Sequence, residues 1–275
     1  MADGAPLAHR AGFSAEDRIA FPGHATVLIE LDGVRLLTDP LLRGRVVHLR
    51  RQVPPVAPGV FARPDAVLIS HLHHDHLDLA SLRLLGLDTP LLVPAGAGKL
   101  LLRRGFTDVT ELRAGAATGI AGTGEGELTV TAVQARHDGR RHPGGMRAET
   151  LGYVMRGRRT VYFAGDTELF DGMSGQMPDP SSQLDVALLP VAGWGSTLGP
   201  GHMDPLDAAR AVALLAPRIA IPIHWGTLLP IGVARRHRSQ LGDPPRLFAR
   251  HAARLAPEVE VRILQPGQAT TLPAV

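Results

Sequence analysis

Residues 67–76 read Val-Leu-Ile-Ser-His-Leu-His-His-Asp-His. Ala66–Ser70 predicts a short strand, apolar enough to be covered on both faces. The polar segment begins where that strand ends, which is where open α/β sheets place their sites. His71 and His73 are two apart, so extended backbone sends both imidazoles the same way. Asp75 and His76 fall in the bend that follows and can turn toward a second point. One short segment can therefore offer two ligands to each of two neighbouring ions. By composition alone, His-x-His-x-Asp-His arises in roughly two such chains in a thousand, which makes a solvated polar loop a poor account of it.

The remaining ligands that such a centre needs sit downstream, each after an expected strand. His137 follows Leu128–Gln134, Asp166 follows Thr160–Phe163, and His224 follows Ile219–Ile223. Gly165, just before Asp166, lets the backbone approach a neighbour closely. The simplest allocation puts His71, His73 and His137 on one ion and Asp75, His76 and His224 on the other. Asp166 bridges them, because a carboxylate has two oxygens. The chain has no cysteine, so a thiolate site and a disulfide scaffold are both excluded. Two zinc ions suit this nitrogen and oxygen set, and manganese or iron also fits. Two such ions sharing a water lower its pKa toward about 7, and they hold the charge that develops on a carbonyl or phosphoryl oxygen. The expected chemistry is hydrolysis by a bridging hydroxide, with Asp75 both ligand and proton acceptor.

The bulk numbers agree with a globular enzyme. The chain has 275 residues, 44% of them apolar and only 4% aromatic, so its core must rest on Leu, Val, Ile and Ala. Lys99 is the only lysine, and the pI of about 10.1 at a net charge of +3 reflects arginine more than a large charge excess. That charge, spread over this length, is no nucleic-acid footprint. Met1–Arg18 has no apolar segment behind a basic start, and no apolar run approaches the roughly 18 residues that span a bilayer. The expectation is a cytoplasmic protein with no integral membrane segment, acting on a small molecule; a homo-oligomer is left open.

No repeat, low-complexity block or linker interrupts the chain, so residues 1–275 are expected to form one domain, with 1–17 a flexible or loosely packed N-terminus. Strands are expected over Arg18–Phe21, Thr26–Leu31 and Val34–Thr38, with a hairpin at Asp32-Gly33. Residues 43–64, rich in Arg and Pro, read as a loop. Helices are expected over Asp78–Leu85, Ala97–Arg104, Pro205–Leu215 capped by Asp204, and Pro244–Arg254, with strands at Leu91–Val93, Leu184–Val191 and Val259–Ile263. Strands first, then strands alternating with helices, then the same again, argue for sheets sandwiched between helices.

With these residues in view, the chain resembles the metallo-β-lactamase superfamily. The likeness rests on the 71–76 motif and on Gly23-His24-Ala25-Thr26, Leu37-Thr38-Asp39-Pro40, Val67–Ser70, Arg136-His137, Phe163–Thr167 and His224-Trp225-Gly226-Thr227. It is similar to the branch holding L-ascorbate-6-phosphate lactonases and the N-acyl phosphatidylethanolamine-hydrolysing phospholipase D. The resemblance implies a four-layer αββα sandwich with a dimetal site at one edge and a hydrolase that cuts an ester, lactone or phosphodiester. It also adds His202 as a residue near the substrate, and gives His24 and Asp39 the task of orienting the ligands from behind. The segments that shape a lipid cavity in the phospholipases, the long insertion of nuclease members and a following flavodoxin domain have no counterpart, which lowers the nuclease and oxygen-reductase readings. A di-iron redox protein and a non-catalytic metal-binding protein are the alternatives.

Other residues carry weaker signals. His74 is out of step with the ligand faces but can line the cleft. His9, His48, His237 and His251 lie in polar, Arg-rich stretches and read as solvated. Arg140 and Arg141 either hold a substrate phosphate or carboxylate or belong to a solvated loop. Arg235, Arg236 and Arg238 lack interleaved aromatics and read as surface.

Overall fold

The computed structural model describes residues 16–122, 126–177, 183–193, 198–232 and 238–273. In chain order its first half runs β1 (Arg18–Gly23), β2 (Thr26–Leu31), β3 (Val34–Thr38), β4 (Arg45–Val46), β5 (Leu49–Arg51), α1 (Pro58–Phe61), β6 (Ala66–Leu68), α2 (Leu79–Leu85), β7 (Leu91–Pro94), α3 (Gly98–Leu102) and β8 (Val109–Leu112). The second half runs β9 (Ala117–Ala121), β10 (Glu127–Gln134), β11 (Leu151–Arg156), β12 (Thr160–Phe163), β13 (Val186–Pro190), α4 (Pro205–Leu215), β14 (Ile219–Ile223), β15 (Leu228–Pro230), α5 (Asp243–Leu255), β16 (Glu260–Val261) and β17 (Gln268–Thr271).

Each half builds one seven-stranded sheet, except that the C-terminal β17 crosses back to pair with β1. The first has the order β17-β1-β2-β3-β6-β7-β8 and the second β16-β14-β13-β12-β11-β10-β9. Both begin as antiparallel hairpins and continue as parallel strands beside helices. The turn between β2 and β3 has positive φ at both Asp32 (50°) and Gly33 (78°), the backbone that an Asp-Gly hairpin favours.

Side-chain alternation sorts the layers. In β6 and just past it, Ala66 and Leu68 join the core shared with the second sheet, while Val67 and Ile69 face the cluster that includes Leu82 of α2 and Leu101 of α3. In β1, Ile19 and Phe21 point inward and Ala20 points to that helical layer. α4 and α5 cover the other sheet through Ala208, Val212, Phe248 and Ala252. The result is an αββα sandwich. Strands covered on both faces explain the continuous apolar runs in the sequence. Among the described residues no helix is long and apolar enough to cross a membrane.

Some expectations are corrected. Residues 43–64 are no plain loop: β4 and β5 form a hairpin, and β5 pairs with β15 to make a small three-stranded sheet. Strands of two and three residues carry no readable period, and the partner lies far along the chain. β8, β9, β11, β15 and β17 were not anticipated, and the last strand shortens to Glu260–Val261. Asp17, expected in a loose N-terminus, is buried, and its carboxylate accepts from Arg159 Nε at 2.7 Å and from Asp32 N at 3.0 Å. Residues 1–15 lie outside the described residues.

Candidate metal centre

The 71–76 segment leaves β6 at the seam between the sheets. Two bonds from β11 hold that point: Leu151 N donates to Ser70 O at 2.9 Å, and Tyr153 Oη donates to Ile69 O at 2.8 Å. Asp39, just past β3, is fully buried and holds it from the other side. Its Oδ1 accepts from Ser70 N at 2.7 Å, and its Oδ2 accepts from Ser70 Oγ at 2.5 Å and from His76 Nδ1 at 2.7 Å. The Ser70 hydroxyl donates its hydrogen bond to Asp39, so its oxygen accepts from His71 Nδ1 at 2.9 Å. Asp39 and Ser70 therefore set the tautomers of His71 and His76 and leave both Nε2 atoms facing the seam.

Backbone carbonyls do the same for the distant histidines. His137 Nδ1 donates to Gly201 O at 2.8 Å, and His224 Nδ1 donates to Ala192 O at 2.7 Å. The freed nitrogens converge. His73 Nδ1 lies 2.9 Å from His71 Nε2 and 3.0 Å from His137 Nε2. His76 Nε2 and His224 Nε2 lie 3.2 Å apart. Lone pairs at that distance repel unless a cation or an added proton sits among them. Asp166 Oδ2 is 3.2 Å from His76 Nε2 and 3.3 Å from His224 Nε2, while its Oδ1 is buried with no hydrogen-bond partner. An unsatisfied buried carboxylate oxygen is costly, and a divalent ion is the partner such an atom lacks. The residues present thus fit a metal.

Polar atoms within 4.8 Å of one another form overlapping groups: His71, His73 and His137; Asp39, His71 and His76; His24, Asp75, His76 and His224; His137, Asp166 and His202. The structure brings together all seven residues expected as ligands. His24 joins them, with Nε2 3.0 Å from Asp75 Oδ2. His202 is partly buried at the edge, its Nε2 3.8 Å from Asp166 Oδ2 and its Nδ1 3.1 Å from Gly199 O.

The electrostatics favour ionised carboxylates at Asp75 and Asp166 and neutral imidazoles at His71, His137 and His224, with His76 the exception. Burial pushes the His71 pKa well down, and lowers His137 to about 4 and His224 to about 3. Burial also opposes a charge on His76, but Asp166, Asp39 and Asp75 outweigh it and raise that pKa well above the ordinary value. Burial favours protonated Asp75 and Asp166, yet the surrounding histidines hold both well below the carboxylate range. In the metal-free protein, a proton on His76 offsets part of the acidic charge.

Other expected residues fall as follows. Arg141 Nη1 donates to Leu72 O at 2.9 Å and Leu77 O at 3.2 Å, and its Nη2 lies 3.2 Å from His74 Nδ1, so its guanidinium clamps the backbone within the motif and just after it. Arg140 is exposed. His48 and His74 both line a cavity beside the centre. His251 is partly exposed on α5. His9, Arg235, Arg236 and His237, and the side chain of Arg238, lie outside the described residues.

Ser70 and Thr227 were not singled out as site residues. Thr227 Oγ1 accepts from His24 N at 2.7 Å. The only sequence signal for either is its place beside a histidine in the quoted motifs.

A model of the beta-lactamase superfamily domain matches residues 34–225. A UPF0173 metal-dependent hydrolase of Methanopyrus kandleri is 34% identical over 268 residues, covering 91% of this chain and 98% of that protein. The N-acyl-phosphatidylethanolamine-hydrolyzing phospholipase D 1 of Caenorhabditis elegans is 29% identical over 228 residues, covering 76% of this chain and 64% of that one. Among solved structures, Igni18, a metallo hydrolase from the archaeon Ignicoccus hospitalis, superposes with a TM-score of 0.72 at 22% identity, covering 94% of this chain and 99% of that chain. The match over 34–225 and the sandwich that carries the histidine seam agree, and the chain belongs to the metallo-β-lactamase superfamily of metal-dependent hydrolases.

Proposed function

We propose that the protein is a hydrolase with a two-ion centre that cleaves an ester, lactone or phosphodiester in a small molecule. The observation that carries this reading is the position of Asp166. Its Oδ2 faces His76 and His224, the carboxylate also groups with His137 and His202, and its Oδ1 has no protein partner. A carboxylate so placed joins two ligand sets. His71, His73 and His137 would hold one ion, and Asp75, His76 and His224 would hold the other. Zinc suits these donors best, with manganese or iron as substitutes.

When bound, the ions supply an acidified water and a positive locus for the charge that builds on the substrate oxygen. The protein supplies position. Asp39, Ser70, Gly201 O and Ala192 O lock the imidazoles in one tautomer and one orientation. His24 holds Asp75 Oδ2, so the Asp75 carboxylate stays fixed as ligand and proton acceptor. His202, with Nδ1 committed to Gly199 O, presents Nε2 at the open edge, where it can pass a proton to the leaving group.

Elemental analysis of the wild type and of His71→Ala and Asp166→Ala, together with an activity screen against lactones, phosphodiesters and thioesters, tests this reading. Two divalent ions per chain are expected in the wild type, with loss of metal and of hydrolysis in both variants. Variants that retained both would overturn it.

A further inference from the structure

Beside the centre lies a cavity of about 310 Å³. His73 and Asp75 form part of its floor, and Val46, Val47, Leu49 and Pro143 form an apolar wall. Most of that wall is the β4–β5 hairpin, and the hairpin is built in firmly. β5 pairs with β15, Gln52 N donates to Thr227 O at 2.8 Å, and the Arg51 guanidinium donates to Pro22 O. Val46 and Leu49 also pack with Leu41 and Leu228 in a buried cluster of their own. The wall is thus tied to the same loop that carries His224.

The tip of this hairpin breaks two ordinary rules at one residue. Val47-His48 is a two-residue loop between the paired Val46 and Leu49, and Val47 has φ 48°. A positive φ at the first loop position normally falls to Gly, Asn or Asp, and a β-branched residue there is strained by roughly 1–3 kcal/mol. Val47 is also 58% exposed, so no burial within the chain compensates for the strain. Its side chain borders the cavity instead. Arg141, also at the cavity, has its Nη1 occupied by the Leu72 and Leu77 carbonyls, which weakens the case for a substrate anion there.

We propose that this cavity is the acyl subsite of the enzyme, that Val47 is a specificity-determining residue in it, and that the substrate is an uncharged ester or lactone with a short hydrocarbon group beside the scissile carbonyl. The proposal rests on the metal-centre reading above and names the substrate class of that site. A volume near the lower end of the usual ligand range, about 300–1,000 Å³, admits a compact group rather than a long lipid chain. Hydrocarbon reaching the wall from the centre would gain about fourfold in affinity per buried methylene.

Calorimetry on the zinc-loaded full chain with acetohydroxamate and hexanohydroxamate provides the test, since both share the zinc-chelating head and differ only in chain length. Hexanohydroxamate is expected to bind about tenfold tighter or more, and its titration to shift the ¹³C-methyl signals of Val46, Val47 and Leu49. In Val47→Asp, whose side chain tolerates a positive φ, the affinity ratio collapses toward about one; in Val47→Gly it falls while thermal stability rises. Equal affinities in the wild type, a ratio that persists in Val47→Asp, or no binding of either compound by protein that holds zinc would overturn the subsite and leave the metal centre standing. A wild type that holds no metal would overturn both.

Discussion

His76 and Asp39 form a buried pair in which Nδ1–H meets Oδ2 at 2.7 Å, and both side chains are fully shielded from water. Through this contact, a residue outside the 71–76 motif decides which nitrogen His76 offers to the seam. The same carboxylate accepts hydrogen bonds from the Ser70 amide and hydroxyl, so it governs His71 as well.

Asp39→Asn should therefore lower metal affinity by about 10- to 100-fold, because an amide accepts through one oxygen only and turns an NH₂ toward groups that need an acceptor. Competition with a chromophoric chelator measures this. An affinity equal to the wild type would remove Asp39 from the ligand-orienting role.

Gly165→Ala should cost about 3 kcal/mol of stability and displace Asp166. Gly165 has φ 61°, and a Cβ there would lie 2.7 Å from Ser70 Cβ and 3.0 Å from Leu151 O. Urea unfolding with metal analysis on the folded fraction checks both parts. Unchanged unfolding would show that β12 and the motif strand can separate freely at this point.

Arg141→Met should destabilise the protein by about 1–3 kcal/mol, since it strips donors from the Leu72 and Leu77 carbonyls. Any loss of activity should fall equally on neutral and anionic substrates. A selective rise in KM for anionic ones would instead assign the guanidinium to substrate binding.

The metal-free protein should be most stable near pH 6.5. His137 and His224 titrate at about 4 and about 3 when folded, against 6.5 for a free histidine, so below pH 6.5 the unfolded chain binds protons that the native state lacks. Stability then falls as pH drops from 6.5 toward 4. His76, with a raised folded pKa, contributes stability fully below 6.5 and loses it as pH rises from there through that raised folded pKa. Guanidinium midpoints at about pH 5, 6.5 and 9 should trace a maximum at the middle value. A midpoint at pH 5 equal to or above that at pH 6.5 would contradict the assignment of neutral, buried His137 and His224.

Much of this protein could be read before folding. Val34–Thr38, Thr160–Phe163, Pro205–Leu215 and Ile219–Ile223 are local patterns with strong periods or caps, and they form where the residues predict. Asp204 caps α4 as expected, with its Oδ1 accepting from Leu206 N and Asp207 N, each at 2.8 Å. The candidate ligands were legible because each follows a strand end, and strand ends of one sandwich edge meet by topology. Where local signals were weak, the reading stopped. The 43–64 hairpin depends on a partner at 228–230, and Leu151–Arg156 owes its place to neighbours on both sides.

The sequence by itself determined which side chains are the candidate ligands, because residue type and strand-end position are local properties. Only the tertiary structure decided how they point. Imidazole tautomers are set by acceptors as distant as Gly201 O for His137 and Ala192 O for His224, and such pairings exist only after the two sheets close. The same closure turned Arg141 onto the motif backbone and placed Val47 beside the centre. Orientation depends on contacts between residues remote in the chain, and no period or motif encodes them.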